Sequence, residues 1–440
     1  MEQTLVVVGA SLSGLATARA ARAQGFSGRL VIVGEEINRP YDRPPLSKAF
    51  LAGKISLSDL ALEEAGEELD AEWLLGVRAE SFVAETMTLS LSDGHSIAAD
   101  AVVIATGASA RTLPQLAGKE NIFTLRTVDD AQALQKELLP GRRMVVIGAG
   151  FIGAEIASTA QAMGVDVTIL ERSASPLRGP LGPSMGAVVA GLHAENDVEL
   201  LCGTGVSFFS GTDTAVTGVV LDDGRELPAD IVLVGIGAEP NVDWLQGSGI
   251  ALDNGVLCDS MGRTNVTGVS AVGDCAAWYD PRSQNYLRVE HWTGAMERPA
   301  LAVTGLFDQY ADAEPVNPAY FWSDQYQSRI QFAGNAHVAD RIEIAAGEVS
   351  GPGFLAVYYA GSEPVAALGV NQVRLFTRWR KTLNKSTAPY AAFVASPEFD
   401  DANTAPADAA GSSGAGDSLE GSAVPAEARD SAAQRYASAS

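Results

Sequence analysis

Residues 143–155 read RMVVIGAGFIGAE, and Gly148, Gly150 and Gly153 follow a short apolar run with GxGxxG spacing. Strand, glycine turn and helix in that order make the dinucleotide fingerprint. The first glycine permits the tight turn. The second lets backbone approach a pyrophosphate, and the third lets helix pack on strand. The helix start adds free N–H donors and partial positive charge for the phosphates. Residues 166–170 (DVTIL) read as the next strand, and Glu171 stands at its end, placed to accept from a ribose 2′-OH.

The N-terminus echoes this unit. Thr4–Val8 is a short apolar strand, followed by Gly9, Ser11, Ser13 and Gly14 in a similar turn. An Ala-rich helical run (15–23) and a second strand (29–33) ending at Gly34-Glu35 complete it. Ser11 replaces the second glycine and weakens the closest backbone–phosphate approach. Two dinucleotide sites on one chain fit a protein that passes electrons between two dinucleotides, most simply a flavin and a nicotinamide.

The intervening segments must position these turns. Residues 38–48 (NRPYDRPPLSK) form a loop stiffened by prolines and carrying Arg43 and Lys48. Residues 49–70 read as helical, and 72–91 as strand segments closed by a turn at 92–95. Residues 100–106 (DAVVIAT) form a buried strand ending in Gly107. A helix over 128–138 leads into the second unit. Beyond Glu171, a helix is expected over 184–195. Strands follow near 199–202, 215–221, 230–234 and 269–272, with a hairpin turn at 222–224. Residues 287–306 read as a helix entered from His291-Trp292, and 320–370 alternate as strands. The last 45 residues, 396–440, are Ala/Ser/Gly/Asp-rich with eight acids against two arginines, a composition that predicts disorder. The whole pattern is α/β.

The chain has 440 residues, 47% of them apolar, and a formal net charge of −24. That length allows two or three domains. The charge argues against nucleic acid and anionic membranes as partners. No apolar run is long enough to span a bilayer, and no signal peptide precedes the first strand. The three cysteines, Cys202, Cys258 and Cys275, form no CxxC and avoid the first 200 residues. Disulfide chemistry beside the N-terminal site is therefore not expected, and four unpaired histidines offer no metal site. Few cysteines and no export signal point to the cytoplasm.

These residues resemble the FAD-dependent, NADH-oxidising ferredoxin and rubredoxin reductases that serve Rieske dioxygenases and cytochromes P450, the putidaredoxin reductase family. The marks are PYDRPPLSK (40–48), ATG (105–107), LRT (125–127), GAGFIGAE (148–155), VGD (272–274), RVEHW (288–292) and YFWSDQY (320–326). The resemblance implies a glutathione-reductase-like fold with two Rossmann-type domains and a C-terminal α/β domain. An FAD domain would be split over 1–113 and 236–317. An NAD domain would occupy 114–235, and the C-terminal domain 318–395. FAD would sit on Gly9–Gly14 with Ser13 near its pyrophosphate and Glu35 on its ribose. Arg43, Lys48, Ala79, Thr106, Gly107, Arg126, Asp274 and Trp292 would complete that site. NADH would sit on Gly148–Gly153 with Glu171 on its ribose, beside Gly237. The rivals on the same frame are an NADH oxidase or peroxide reductase and a redox-sensing protein of the apoptosis-inducing-factor kind.

Within this resemblance, Lys48 and Glu155 would meet near the reactive flavin ring and take the catalytic roles. A fixed ammonium there stabilises the anion created by hydride arrival. The alternative is an ordinary salt bridge between elements. At Glu171, a carboxylate repels a 2′-phosphate and favours NADH over NADPH; adjacent Arg172 is the opposing feature. Residues 371–386 carry five cations and no acid. If helical, they place Arg374, Arg378, Lys381 and Lys385 on one face, suited to steering an acidic [2Fe-2S]-type ferredoxin.

Overall fold

The computed structural model describes residues 3–308, 310–311 and 317–385. The expected disorder of 396–440 lies outside the described residues. Buried β-branched runs build two five-stranded parallel sheets. In the first, the order is Val269–Ala271, Ala101–Ile104, Thr4–Val8, Arg29–Gly34 and Ala71–Leu75. In the second it is Glu199–Cys202, Asp166–Glu171, Arg143–Ile147, Ile231–Val234 and Ile122–Phe123. Strands covered on both faces have no reason to alternate, and Thr4–Val8 and Ile231–Val234 are buried almost throughout.

Each glycine turn leaves the central strand of its sheet, where the strand order reverses and ligands of open α/β sheets bind. The turns leave no room for other residues at their key positions. A Cβ on Gly9 (φ +125°) would lie 2.0 Å from the Ala105 carbonyl oxygen, and one on Gly148 (φ +103°) 2.3 Å from that of Gly235. The two helices that follow are Leu12–Ala23 and Phe151–Ala162.

A third five-stranded sheet is antiparallel. Its order is Tyr320–Gln325, Ser328–Gly334, Glu363–Val370, Phe354–Ala360 and Arg341–Gly347. Helix Val373–Leu383 lies against it through buried Phe376 and Leu383. Helix Trp292–Phe307 is entered from His291 as expected, although residues 287–288 belong to strand Asn285–Arg288, and Phe307 stacks on Phe26 beyond the first fingerprint helix.

Two expectations need correction. Residues 49–70 are not a helix: turns and one short 3₁₀ segment, Leu57–Leu60, occupy them. Gly53, Gly66 and Asp70 adopt positive φ there, and Phe50, Leu51 and Leu60 reach the core from turns rather than from one helical face. The helix expected from 184 starts earlier, as Arg178–Ala194, with a non-helical kink at Gly182 before Pro183. The strand Val206–Gly211 was not read from sequence. No described helix is long and apolar enough to cross a membrane.

Candidate functional site

Both glycine turns open on one cavity of about 1300 Å³. It exceeds the usual range for a single small-molecule site. Gly9, Ser11 and Ser13 line it from the first unit, and Gly150, Gly153 and Glu155 from the second.

At the first turn, Ser11 is the N-cap residue of Leu12–Ala23 but makes no capping bond. Its hydroxyl instead accepts from Arg43 Nε at 3.3 Å. Arg43 also donates to the Arg126 carbonyl at 2.6 Å and to Glu36 Oε1 at 2.5 Å. Arg126 in turn meets Asp274 at 2.5 Å. Burial opposes the Arg126 charge, but Asp274 holds its pKa above the ordinary value. These pairs tie the proline loop, the inter-unit connection and the VGD turn into one polar wall. Gly273 (φ +71°) packs against Ser13; a Cβ there would lie 2.5 Å from its hydroxyl.

The second turn has a different opening. A Cβ on Gly153 would strike the Gly148 carbonyl at 2.5 Å, whereas one on Gly150 meets no protein atom within 4 Å. Gly150 is thus dispensable for packing, and the space before it is a cradle for a group approaching the helix start. Glu171 accepts from the Ala149 N–H at 3.1 Å and the Ser173 N–H at 2.8 Å, which fixes its carboxylate beside the turn.

Between the turns, Lys48 Nζ donates to Glu155 Oε2 at 2.5 Å and to the Pro44 carbonyl at 3.0 Å. Glu155 is 5% exposed. Its Oε2 also accepts from Ser47 Oγ at 2.6 Å, and its Oε1 from Ser323 Oγ at 2.7 Å and the Asp324 N–H at 3.3 Å. A buried carboxylate with four donors is satisfied rather than stranded.

Aromatic rings line one side of the cavity. Trp292 donates Nε1–H to Asp42 Oδ1 at 2.9 Å, and its ring lies 6.1 Å edge-on from Trp322. Phe321 packs between Phe151, at 4.5 Å, and His291, at 5.1 Å. Burial lowers the pKa of His291 to about 4, so it is neutral near pH 7. Its buried Nδ1 has no hydrogen-bond partner among the described residues. Burial raises the pKa of Asp42, with the Trp292 bond and Lys48 opposing.

Most residues singled out from sequence share this cavity: Glu35, Arg43, Lys48, Thr106, Gly107, Arg126, Gly237, Asp274 and Trp292 all line it. Gly14, Gly148 and Glu171 stand behind it, as turn geometry or support. The Ala79 side chain is buried in strand Ala79–Val83 and is not part of the lining. Glu35 is largely exposed beside Arg78, whereas Glu36 takes the contacts from Tyr41 and Arg43. Glu36, Ser47 and Ser323 were missed. Adjacent acids could not be told apart by spacing, and serines carry no signal without a partner. Arg374, Arg378, Lys381 and Lys385 are exposed, opposite buried Phe376 and Leu383. No cysteine lines the cavity, and all three are free.

Comparison with known proteins agrees with this architecture. Residues 3–299 match the model of the pyridine nucleotide-disulphide oxidoreductase family, and residues 320–404 match the reductase C-terminal domain. The chain is 34% identical over 376 residues to putidaredoxin reductase of Pseudomonas putida, covering 84% of this chain and 88% of that one. It is 38% identical over 340 residues to the ferredoxin reductase component of chlorobenzene dioxygenase from Cupriavidus sp. strain PS12, covering 76% and 81%. Among solved structures, the covalent putidaredoxin reductase–putidaredoxin complex superposes with a TM-score of 0.83 at 32% identity, covering 87% and 93%. The fold is glutathione-reductase-like, and the resemblance read from the motifs is borne out. The chain belongs to the pyridine nucleotide-disulphide oxidoreductase family, in the branch that carries the reductase C-terminal domain.

Proposed function

We propose that this protein is an FAD-containing oxidoreductase that takes hydride from NADH and delivers electrons singly to a small, acidic [2Fe-2S]-type ferredoxin feeding an oxygenase. The carrying observation is the single cavity that joins both glycine turns while no cysteine lines it. A disulfide or peroxide reductase on this frame needs a redox-active sulfur at the same place.

The residues present fit two dinucleotides. The first helix start, with Ser11 and Ser13, would hold the FAD pyrophosphate. Glu35 and Glu36 stand at the end of the following strand for its ribose. The second helix start and the Gly150 cradle would hold the NADH pyrophosphate. Bound flavin supplies the hydride-accepting and one-electron-donating chemistry. The protein supplies alignment, charge and exclusion of water. Lys48 presents an ammonium to the cavity beside Glu155. Trp292 and Phe321 line the same space with apolar ring surface. Glu171, held by two backbone donors, presents a carboxylate that accepts a 2′-OH and repels a 2′-phosphate. In this reading the FAD domain comprises 1–113 and 236–317, the NAD domain 114–235, and the C-terminal domain 318–395. Its support is that the first sheet draws strands from both sides of the second. Three free thiols fit a reducing, cytoplasmic setting.

The test is an anaerobic titration of the purified protein followed in the visible flavin bands. NADH bleaches them at one equivalent, and NADPH does so far more weakly. A protein without flavin, or with flavin that NADH leaves oxidised, sinks the reading.

A further inference from the structure

The pairing of Lys48 with Glu155 poses an electrostatic problem. A carboxylate 2.5 Å from an ammonium cancels the charge that the ammonium could offer the cavity. How much it cancels depends on what else the carboxylate holds.

The other oxygen of Glu155 is held from the C-terminal sheet. Ser323, 0% exposed on strand Tyr320–Gln325, donates to Oε1 at 2.7 Å. Its hydroxyl in turn accepts from Gln325 Nε2 at 3.0 Å. Gln325 is itself 1% exposed. A hydroxyl that accepts one bond donates the next more strongly, so the chain Gln325 to Ser323 to Glu155 polarises toward the carboxylate. Neutral dipoles thereby take up part of the Glu155 charge that would otherwise fall on Lys48. This relay crosses from the C-terminal sheet to the fingerprint helix and ends at the cavity wall.

We propose that Ser323 is a positioning residue for hydride acceptance, its hydroxyl holding Glu155 so that Lys48 keeps net positive charge for the bound flavin. This inference rests on the flavin reading above. Neither Ser323 nor Gln325 lines the cavity, so both act only through Glu155.

The test uses the full-length flavoprotein carrying Ser323→Ala, Ser323→Thr or Gln325→Leu. The flavin potential is measured by anaerobic reduction against an indicator dye, and bleaching by NADH is followed in a single turnover. Ser323→Ala leaves a less compensated carboxylate, so the reduced-to-oxidised flavin ratio at a fixed dye potential falls about tenfold. That is about 30 mV for a two-electron couple. Bleaching slows several-fold. Ser323→Thr, which keeps the hydroxyl, restores both. Gln325→Leu shifts both the same way by less, and it decides the matter if Ser323→Ala does not fold. A Ser323→Ala protein with wild-type potential and wild-type bleaching overturns the proposal. Wild-type protein that holds no NADH-bleachable flavin fails at the earlier step and condemns the flavin reading itself.

Discussion

At the scale of single residues, the site sets two charged side chains at a shared wall and surrounds them with neutral donors. Lys48 is the one that faces both the loop carbonyl of Pro44 and the Glu155 carboxylate. Its replacement by Met removes the ammonium while keeping the stem. The expected result is NADH-driven bleaching at least tenfold slower, about 1.4 kcal/mol of lost transition-state stabilisation, with flavin still bound. Stopped-flow absorbance measures it; an unchanged rate reduces the pair to an ordinary inter-element bridge.

At the scale of elements, the second fingerprint separates folding from binding. Gly148→Ala forces a side chain onto φ +103° and into the Gly235 carbonyl. It costs about 1–3 kcal/mol of strain or more and lowers the melting temperature. Gly150→Ala meets no protein atom, so its melting point stays near wild type while NADH affinity falls about tenfold or more. Equal melting losses for the two would contradict the cradle. Elsewhere, His193 of helix Arg178–Ala194 bonds the Tyr326 hydroxyl at 2.8 Å, pinning the turn after strand Tyr320–Gln325. Burial lowers its pKa from 6.5 to about 4. Between those values the unfolded chain binds more protons than the folded one. Stability therefore drops as pH falls from about 6.5 toward 4, by up to about 3 kcal/mol. His193→Gln should flatten that part of a denaturant-midpoint profile, and an unaltered slope would assign it to other groups.

At the scale of the whole molecule, a net charge of −24 repels any acidic partner at long range. The exposed face of helix Val373–Leu383 and the turn after it is a local exception. Replacing Arg374, Arg378, Lys381 and Lys385 together by Ala should raise the KM for an acidic ferredoxin roughly tenfold. It should also flatten the dependence of that KM on salt. Steady-state kinetics across ionic strength check this. An unaltered KM removes the face from the docking surface.

The sequence by itself determined the two dinucleotide units. Their chemistry is local: glycine turn, apolar strand and acid at the next strand end lie within one βαβ stretch of about thirty residues. Gly14 and Gly153 are dictated by contacts inside their own units, against the Gly9 and Gly148 carbonyls, whereas Gly9 and Gly148 abut the distant Ala105 and Gly235 carbonyls; spacing alone still made all four legible. The amphipathic helix Val373–Leu383 was legible for the same reason of period. Residues 49–70 were not, because their buried Phe50, Leu51 and Leu60 are equally compatible with a helix or with turns, and the positive φ at Gly53, Gly66 and Asp70 is set by the fold. What only the tertiary structure decided lies between units distant in sequence. Lys48 and Glu155 are 107 residues apart, and Ser323 is a further 168 from Glu155. A serine or a second glutamate such as Glu36 has no spacing that announces its partner. Its role exists only once burial strips away water and leaves one neighbour to bond.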